Sequence, residues 1–252
     1  MCIINEPAKV AKTKILVAPS SYKEINRQLT VYMNSVTTLI EDNAMILPVP
    51  FPKSVKFHNL DNYKDIFSDC ESKFPKLASQ SFSVSAEEDE YEEEETLEVF
   101  QTNGYDVSIV PDLASFNRLD KNVFELSSNV AELLKGKYSN KFGYLVCKLS
   151  TGNLDYQPLA YSHQLLENGK MFVPTLHYHG HEEADGKADW DHVIYSINNG
   201  ARDQDLIANL NGSGLKFNLL EPEFMAQTQL TISKLELIGR YPNCDLSFSI
   251  LK

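Results

Sequence analysis

Residues 28–40, QLTVYMNSVTTLI, are dominated by β-branched and aromatic side chains. Such side chains lose rotamer freedom in a helix and fit the pleated surface of a sheet, so the run reads as a long strand. Similar runs recur along the chain. Residues 14–18 (KILVA) form a short strand that Pro19, Ser20 and Ser21 end. Residues 43–51 (NAMILPVPF) are apolar, but Pro48, Pro50 and the following Pro52 carry no N–H, which predicts a sheet edge or an extended segment leaving the sheet. Residues 96–101 and 105–110 flank Asn103-Gly104 and read as a hairpin; 142–149 (FGYLVCKL) is a further strand. Residues 156–165 and 170–179 flank Glu167-Asn168-Gly169 and read as a second hairpin. Residues 228–238 and 246–251 complete the series.

Helical spacing occurs twice. Tyr63, Ile66, Phe67, Cys70 and Phe74 share one helix face, with Asp61 as N-cap and Pro75 as the stop. Val123, Leu126, Val130 and Leu133 or Leu134 share another, with Gly136 as the C-cap. No strand–helix alternation is sustained, which excludes a doubly wound parallel sheet. The expected class is α+β and β-rich: antiparallel sheets built from hairpins, two short helices packed alongside, and an acidic surface insertion, all in one domain over residues 1–252.

The insertion carries most of the charge. The formal net charge is −12, yet residues 87–95 (EEDEYEEEE) hold eight acidic side chains, which leaves about −4 on the rest. Residues 79–95 are serine-rich and then acidic; like charges repel and few apolar groups offset the entropy of ordering, so a solvated, flexible insertion is expected. Its functional reading is a site for a protein partner or a cation. No basic stripe is present, which argues against nucleic acid, and no run approaches the ~18 apolar residues of a membrane span. The first residues lack the apolar core of a signal peptide, so an intracellular protein is expected, with an exported mature form as the alternative.

Residues 171–198 gather the groups that could bind metal or move a proton. His177, His179, His181 and His192 lie there with five acidic side chains and the sole tryptophan. Asp185-Gly186 reads as a two-residue turn that pairs Ala184 with Lys187 and therefore places His179 opposite His192. Alternation then puts the histidines on the less apolar face and Phe172, Leu176, Tyr178, Val193, Tyr195 and Ile197 on the core face. Cross-strand Cβ atoms lie ~4.5–5.5 Å apart, within reach of Zn–N bonds of ~2.0–2.1 Å. The expected divalent-metal ligands, for zinc or a similar ion, are His177, His179 and His192, with Glu183 or a water completing the shell. His181 is the reserve ligand, because about 13 Å of strand separates it from His177. His177, His179 and Glu183 also match part of a cupin ligand pattern, which gives the reading of a cupin-like metal-dependent enzyme. The alternative is a polar hairpin whose histidines and acids are only solvated or hydrogen-bonded.

The cysteines at 2, 70, 147 and 244 form no CxxC pair. Cys70 and Cys147 sit in apolar patterns and read as core. Cys2 is different: removal of the initiator would make it residue one, with its own α-amino group as base, the arrangement of an N-terminal-nucleophile hydrolase.

AMILPVP at 44–50, SVKFHNLDNYKDIF, NGYDVSIV, FGYLVCKL, YQPLAYS and FVPTLHYHG occur in an order that resembles a mostly bacterial, often exported family known as a domain of unknown function. The resemblance covers roughly residues 2–180. It implies one continuous domain and supplies no catalytic residues. The leading expectation is a binding or structural protein with a candidate metal site on a histidine hairpin; the cupin-like enzyme and the Cys2 hydrolase are its rivals.

Overall fold

The structure, a computed structural model, describes residues 3–22, 25–61, 63–74, 97–102, 104–119, 126–179, 186–198, 206–209 and 231–250. The first elements are β1 (Ile3–Ile4), β2 (Lys9–Tyr22), β3 (Ile25–Thr38), β4 (Ala44–Pro50), β5 (Lys56–His58) and α1 (Ile66–Glu71). Next come β6 (Val99–Thr102), β7 (Tyr105–Val110), α2 (Ser128–Lys137), β8 (Phe142–Lys148), β9 (Gly152–Asp155) and β10 (Leu159–Gln164). The remainder is β11 (Lys170–Val173), β12 (Tyr178–His179), β13 (Lys187–Asn198), β14 (Leu206–Asn209), β15 (Thr231–Pro242) and β16 (Leu246–Ser249).

Among the described residues these strands build a six-stranded sheet, β12-β1-β4-β8-β7-β6, and an eight-stranded sheet, β14-β15-β13-β2-β3-β10-β5 with β9 beside β3. A small third sheet pairs β11 with β16. The fold is therefore β-rich α+β, as the residue patterns predict. The arrangement is four layers deep. The inner faces of the two large sheets meet through Ile15, Val17, Tyr32, Met45, Leu47, Val49, Leu145 and Cys147. The outer face of the eight-stranded sheet (Leu16, Leu29, Val31, Ile197) is covered by α1 through Ile66, Phe67 and Cys70. The outer face of the six-stranded sheet (Ile46, Tyr144, Val146) is covered by α2 through Val130 and Leu134. One short helix thus packs on each outside face. Cys70 and Cys147 are fully buried, and burial pushes the Cys70 thiol up to about 12, so both behave as core.

Several local expectations change. The prolines of β4 do not expel it from the sheet: it lies between β1 and β8 and is buried along its length. Phe51 N–H donates to Lys141 O on the β8 side, whereas Ala44 O accepts from Asn5 N–H on the β1 side. Alternation then turns the nitrogens of Pro48 and Pro50 toward the β1 side, where β1 pairs only Met45 and Ile46. The missing donors therefore interrupt no ladder. β2 runs through Pro19 for a related reason, since its parallel pairing with β13 covers only Lys14 to Val17.

The first helix is shorter than its apolar spacing suggests. Asp61 bonds Asn59 instead of capping, and turns at Tyr63 and Ile66 precede α1. The second begins after Ser127, whose Oγ accepts from Val130 N–H, and runs through Gly136 to Lys137, with Tyr138 as its C-cap. The expected hairpin forms between β6 and β7, with Thr102 opposite Tyr105 and Gly104 at φ 76°. The hairpin expected around Glu167-Asn168-Gly169 reduces to one bridge, Glu167 to Lys170. Beyond it the flanking strands diverge: β10 pairs with β3 and β5, and β11 with β16.

Gly143 marks where the six-stranded sheet meets a tight turn. A Cβ there would lie 2.5 Å from Val110 O and 2.6 Å from the Pro52 ring, neither able to swing away. Gly143→Ala is expected to lower unfolding free energy by about 1–3 kcal/mol, read as a lower urea midpoint at unchanged slope. A midpoint equal to that of the unaltered chain would show that the Pro52 turn yields.

Candidate functional site

The histidines of residues 171–198 are divided between sheets. Segment 174–177 is clamped by residues 243–245. His177 N–H donates to Asn243 Oδ1 at 2.8 Å, and Asn243 Nδ2 donates back to His177 O at 2.7 Å. The Asp245 carboxylate accepts from the N–H groups of Thr175 (2.9 Å) and Leu176 (2.8 Å) and from Tyr138 O–H (2.8 Å). These bonds deliver β12 to the edge of the six-stranded sheet, where Tyr178 and His179 lie parallel to Ile3 and Ile4. His177 and His179, two residues apart, bring their ring centroids within 4.2 Å.

His192 goes elsewhere. It lies in β13, opposite Leu237 of β15, and its ring sits 4.7 Å from that of Trp190. The pairing of His179 with His192 is therefore not formed: β12 and β13 take partners in different sheets. The exposure expected of the histidines is also reversed, since His177 is 5 % exposed and His192 is 0 % exposed. Both faces of β13 are covered, so alternation leaves no wet face for His192. Among the described residues no group of three or more His, Cys, Asp or Glu side chains converges as a metal shell. Glu183, His181, Asp185, Cys2 and the acidic run 87–95 lie outside the described residues.

Burial dominates the electrostatics of the pair. It pulls His177 down to about 4 and His179 down to about 3, the latter also opposed by its neighbour, so both rings are neutral at pH 7. Nε2 of His179 is buried with no hydrogen-bond partner among the described residues.

Two polar clusters escape sequence reasoning because their members are far apart in the chain. His58 Nε2 meets Ser162 Oγ at 2.9 Å, and Arg27 Nη2 donates to the same Oγ and to Ser54 O, each at 2.9 Å. A serine beside a histidine suggests a nucleophile and its base, but Ser162 is 0 % exposed and no substrate could reach it. These bonds instead tie β5 and the turn at 52–54 to β3 and β10.

The second cluster anchors α1. Glu71, its last residue, accepts from Lys234 Nζ at 2.7 Å and from Tyr195 O–H. Lys234 also meets Glu236 at 2.6 Å and lies 5.8 Å from the Phe74 ring centroid. Burial alone would raise the Glu71 carboxyl, but the bonds from Lys234 and Tyr195 hold it below its ordinary value. Burial would likewise lower Lys234, and its two carboxylate partners raise it instead.

This cluster fixes the point from which residues 75–96 depart. Phe74 packs on the outer face of the eight-stranded sheet. The chain is next described at Leu97, which packs on the outer face of the six-stranded sheet and donates its N–H to Arg118 O at 3.3 Å. Phe74 and Leu97, the described residues on either side of the segment carrying the acidic run, therefore pack on opposite outer faces.

The buried histidines predict an acid-sensitive fold. Each has a folded pKa below the unfolded value of about 6.5, and buried His163, at about 4, joins His177 and His179. The unfolded chain then binds protons that the folded one does not. Stability is full above pH 6.5 and falls as pH drops toward 4, by about 1.4 kcal/mol per pH unit for each proton. Asp191 and Asp245, raised by burial, act in the opposite sense. His177→Gln is expected to remove one proton from the slope in urea unfolding between pH 6.5 and 4.5; an unchanged slope would refute the assignment.

No family model matches the chain. Solved structures do. The crystal structure of baculovirus p35 is 12 % identical, covers all of both chains and superposes with a TM-score of 0.51. A mutated baculovirus p35 after caspase cleavage is 14 % identical over 96 % of this chain and 99 % of that one, with a TM-score of 0.46. A caspase-8/p35 complex is 12 % identical over 95 % and 97 % of the two chains, with a TM-score of 0.44. At this level of identity the likeness to p35 is one of fold alone.

Proposed function

We propose that this chain is a binding protein that presents residues 75–96, with the acidic run 87–95 at their centre, to a protein partner. The observation that carries the reading is the double anchorage of that segment. The Glu71–Lys234–Tyr195 cluster holds its start, and the burial of Leu97 holds its end. Fixed flanking residues of this kind suit a scaffold that presents a recognition segment. Eight acidic side chains within residues 87–95 favour a partner with a basic surface and a salt-dependent association. Caspases are the class to test first. They appear beside p35 in the complex above, and that association belongs to p35 until it is measured for this chain.

The test uses the full chain and purified caspase-8, at low and high salt. Expected is binding whose on-rate falls about tenfold or more when the charges are screened. The same loss is expected for a variant in which Glu87, Glu88, Glu90, Glu92, Glu93, Glu94 and Glu95 become Gln and Asp89 becomes Asn. Equal binding by the neutralised variant would overturn the role of the acidic run. No binding to caspase-8 would overturn the choice of partner class.

A second reading keeps the histidines, favoured by the 4.2 Å approach of two neutral rings and by His179 Nε2, which has no hydrogen-bond partner among the described residues. It proposes a divalent cation such as zinc on His177 and His179, with Glu183, His181 or water filling the remaining positions of a four-coordinate shell. Metal analysis after zinc loading is expected to give one ion per chain, lost in His179→Ala. Stoichiometry well below one in the unaltered protein would sink it.

A further inference from the structure

We propose that β15 pairs with β15 of a second copy of this chain, antiparallel and centred on Ile238. β15 is long, but β14 borders it only from Thr231 to Lys234. Among the described residues no strand lies beside Leu235 to Pro242 on that side. The direction of its backbone groups follows from one bond: Asn243 N–H donates to Gly186 O, across to the β13 side. Alternation then turns the N–H and C=O groups of Glu236, Ile238 and Arg240 outward, along the open edge. Pro242, which has no N–H, falls in the same outward set, where it interrupts nothing.

The side chains of those residues fit a copy of themselves. Leu235 and Leu237 point into the core between the sheets. Glu236, Ile238 and Arg240 point to the opposite face, beyond the reach of α1; all three are exposed, Ile238 by 69 %. In an antiparallel pair centred on Ile238, each Glu236 stands opposite the second copy's arginine at the same position as Arg240, and Ile238 meets its own image. Opposite charges directly across a ladder stabilise it, and a two-fold axis forms the ion pair twice. The backbone bonds fall between the same residues whose groups face outward, so register, charge and hydrogen bonding coincide. Gly239, at φ +108°, keeps its place opposite Trp190 and does not shift this register.

The chain's own connection from β13 to β14 is too short to line the edge as far as Arg240. Residues 199–205 run from Asn198, opposite Thr231, to Leu206, opposite Lys234. They span at most about 25 Å, whereas a path out to Arg240 and back to Lys234 needs roughly 50 Å at ~3.3 Å per residue. Residues 210–230 are long enough, and their occupation of the edge is the alternative outcome.

Sedimentation equilibrium of the full chain tests the proposal. Expected is a concentration-dependent dimer of twice the 28.5 kDa chain mass. Arg240→Glu and Glu236→Arg, each placing like charges across both pairs, should weaken it about tenfold, and the double variant should restore it. Ile238→Pro, which removes an outward N–H and no bond to β13, should abolish it while the unfolding midpoint is retained. A strict monomer, with the 236–240 amides protected by residues 210–230, would overturn the proposal. So would a dimer indifferent to both charge reversals.

Discussion

The ladder between β2 and β3 is the constraint on which the other layers depend. β3 pairs with β2 along one side and with β10 and β9 along the other, while β2 also accepts β13 in parallel. The two strands feed both cores at once. Ile15, Val17, Tyr32 and Val36 face the six-stranded sheet, and Leu16, Ala18, Leu29 and Val31 face α1. A register shift between Ala11 and Lys14 makes this possible. Val10 faces inward opposite Val36, and Ile15 faces inward opposite Tyr32, so β2 spends one more residue than β3 between the same two pairs. Without the extra residue, every side chain from Lys14 onward would turn to the wrong face. Lys12, at φ 57°, occupies the bulge and donates its N–H to Asp191 Oδ2 at 2.6 Å, so the irregularity also fastens β2 to β13.

That dependence explains what was legible in the sequence. Strands such as 28–40 and 142–149, the Asn103-Gly104 hairpin and the burial of Cys70 and Cys147 follow from local chemistry, because each is decided by residues adjacent in the chain. Partner choice is not local. Alternation says which side chains share a face, but not which strand lies alongside. The turn at Asn168-Gly169 is real, with Gly169 at φ 78°, yet its flanking strands pair with β3, β5 and β16. The same limit separated His179 from His192. Trp190, His192 and Ile194 are all buried, as are Tyr195 and Ile197 on the other face. A strand covered on both sides offers no polar face, and a histidine in it is buried among apolar side chains.

The anchorage of the acidic segment was illegible for a similar reason. Glu71, Tyr195, Lys234 and Phe74 come from the end of a helix and two distant strands, and no spacing rule connects them. Once assembled, their chemistry is straightforward. A half-buried carboxylate would be destabilised by desolvation, yet two donors hold it charged, and a largely buried ammonium stays protonated between two carboxylates. Breaking either partner strands the other, so the helix end is fixed more firmly than six residues of helix could manage alone.

Lys234 links this anchor to the open edge. It is the last residue of β15 covered by α1 and β14, and the next outward residue, Glu236, is its second carboxylate. The ion pairs thus run in one row from the helix end through Lys234 to Glu236 and the uncovered part of the strand. Screening divides that row. The Lys234 side chain is 7 % exposed and Glu71 33 %, so their bond persists at salt concentrations that weaken pairs between exposed groups. Glu236, at 49 %, belongs to the screened end. Electrolyte therefore weakens the Glu236 end of the row first, while the bond that holds the end of α1 stays in place.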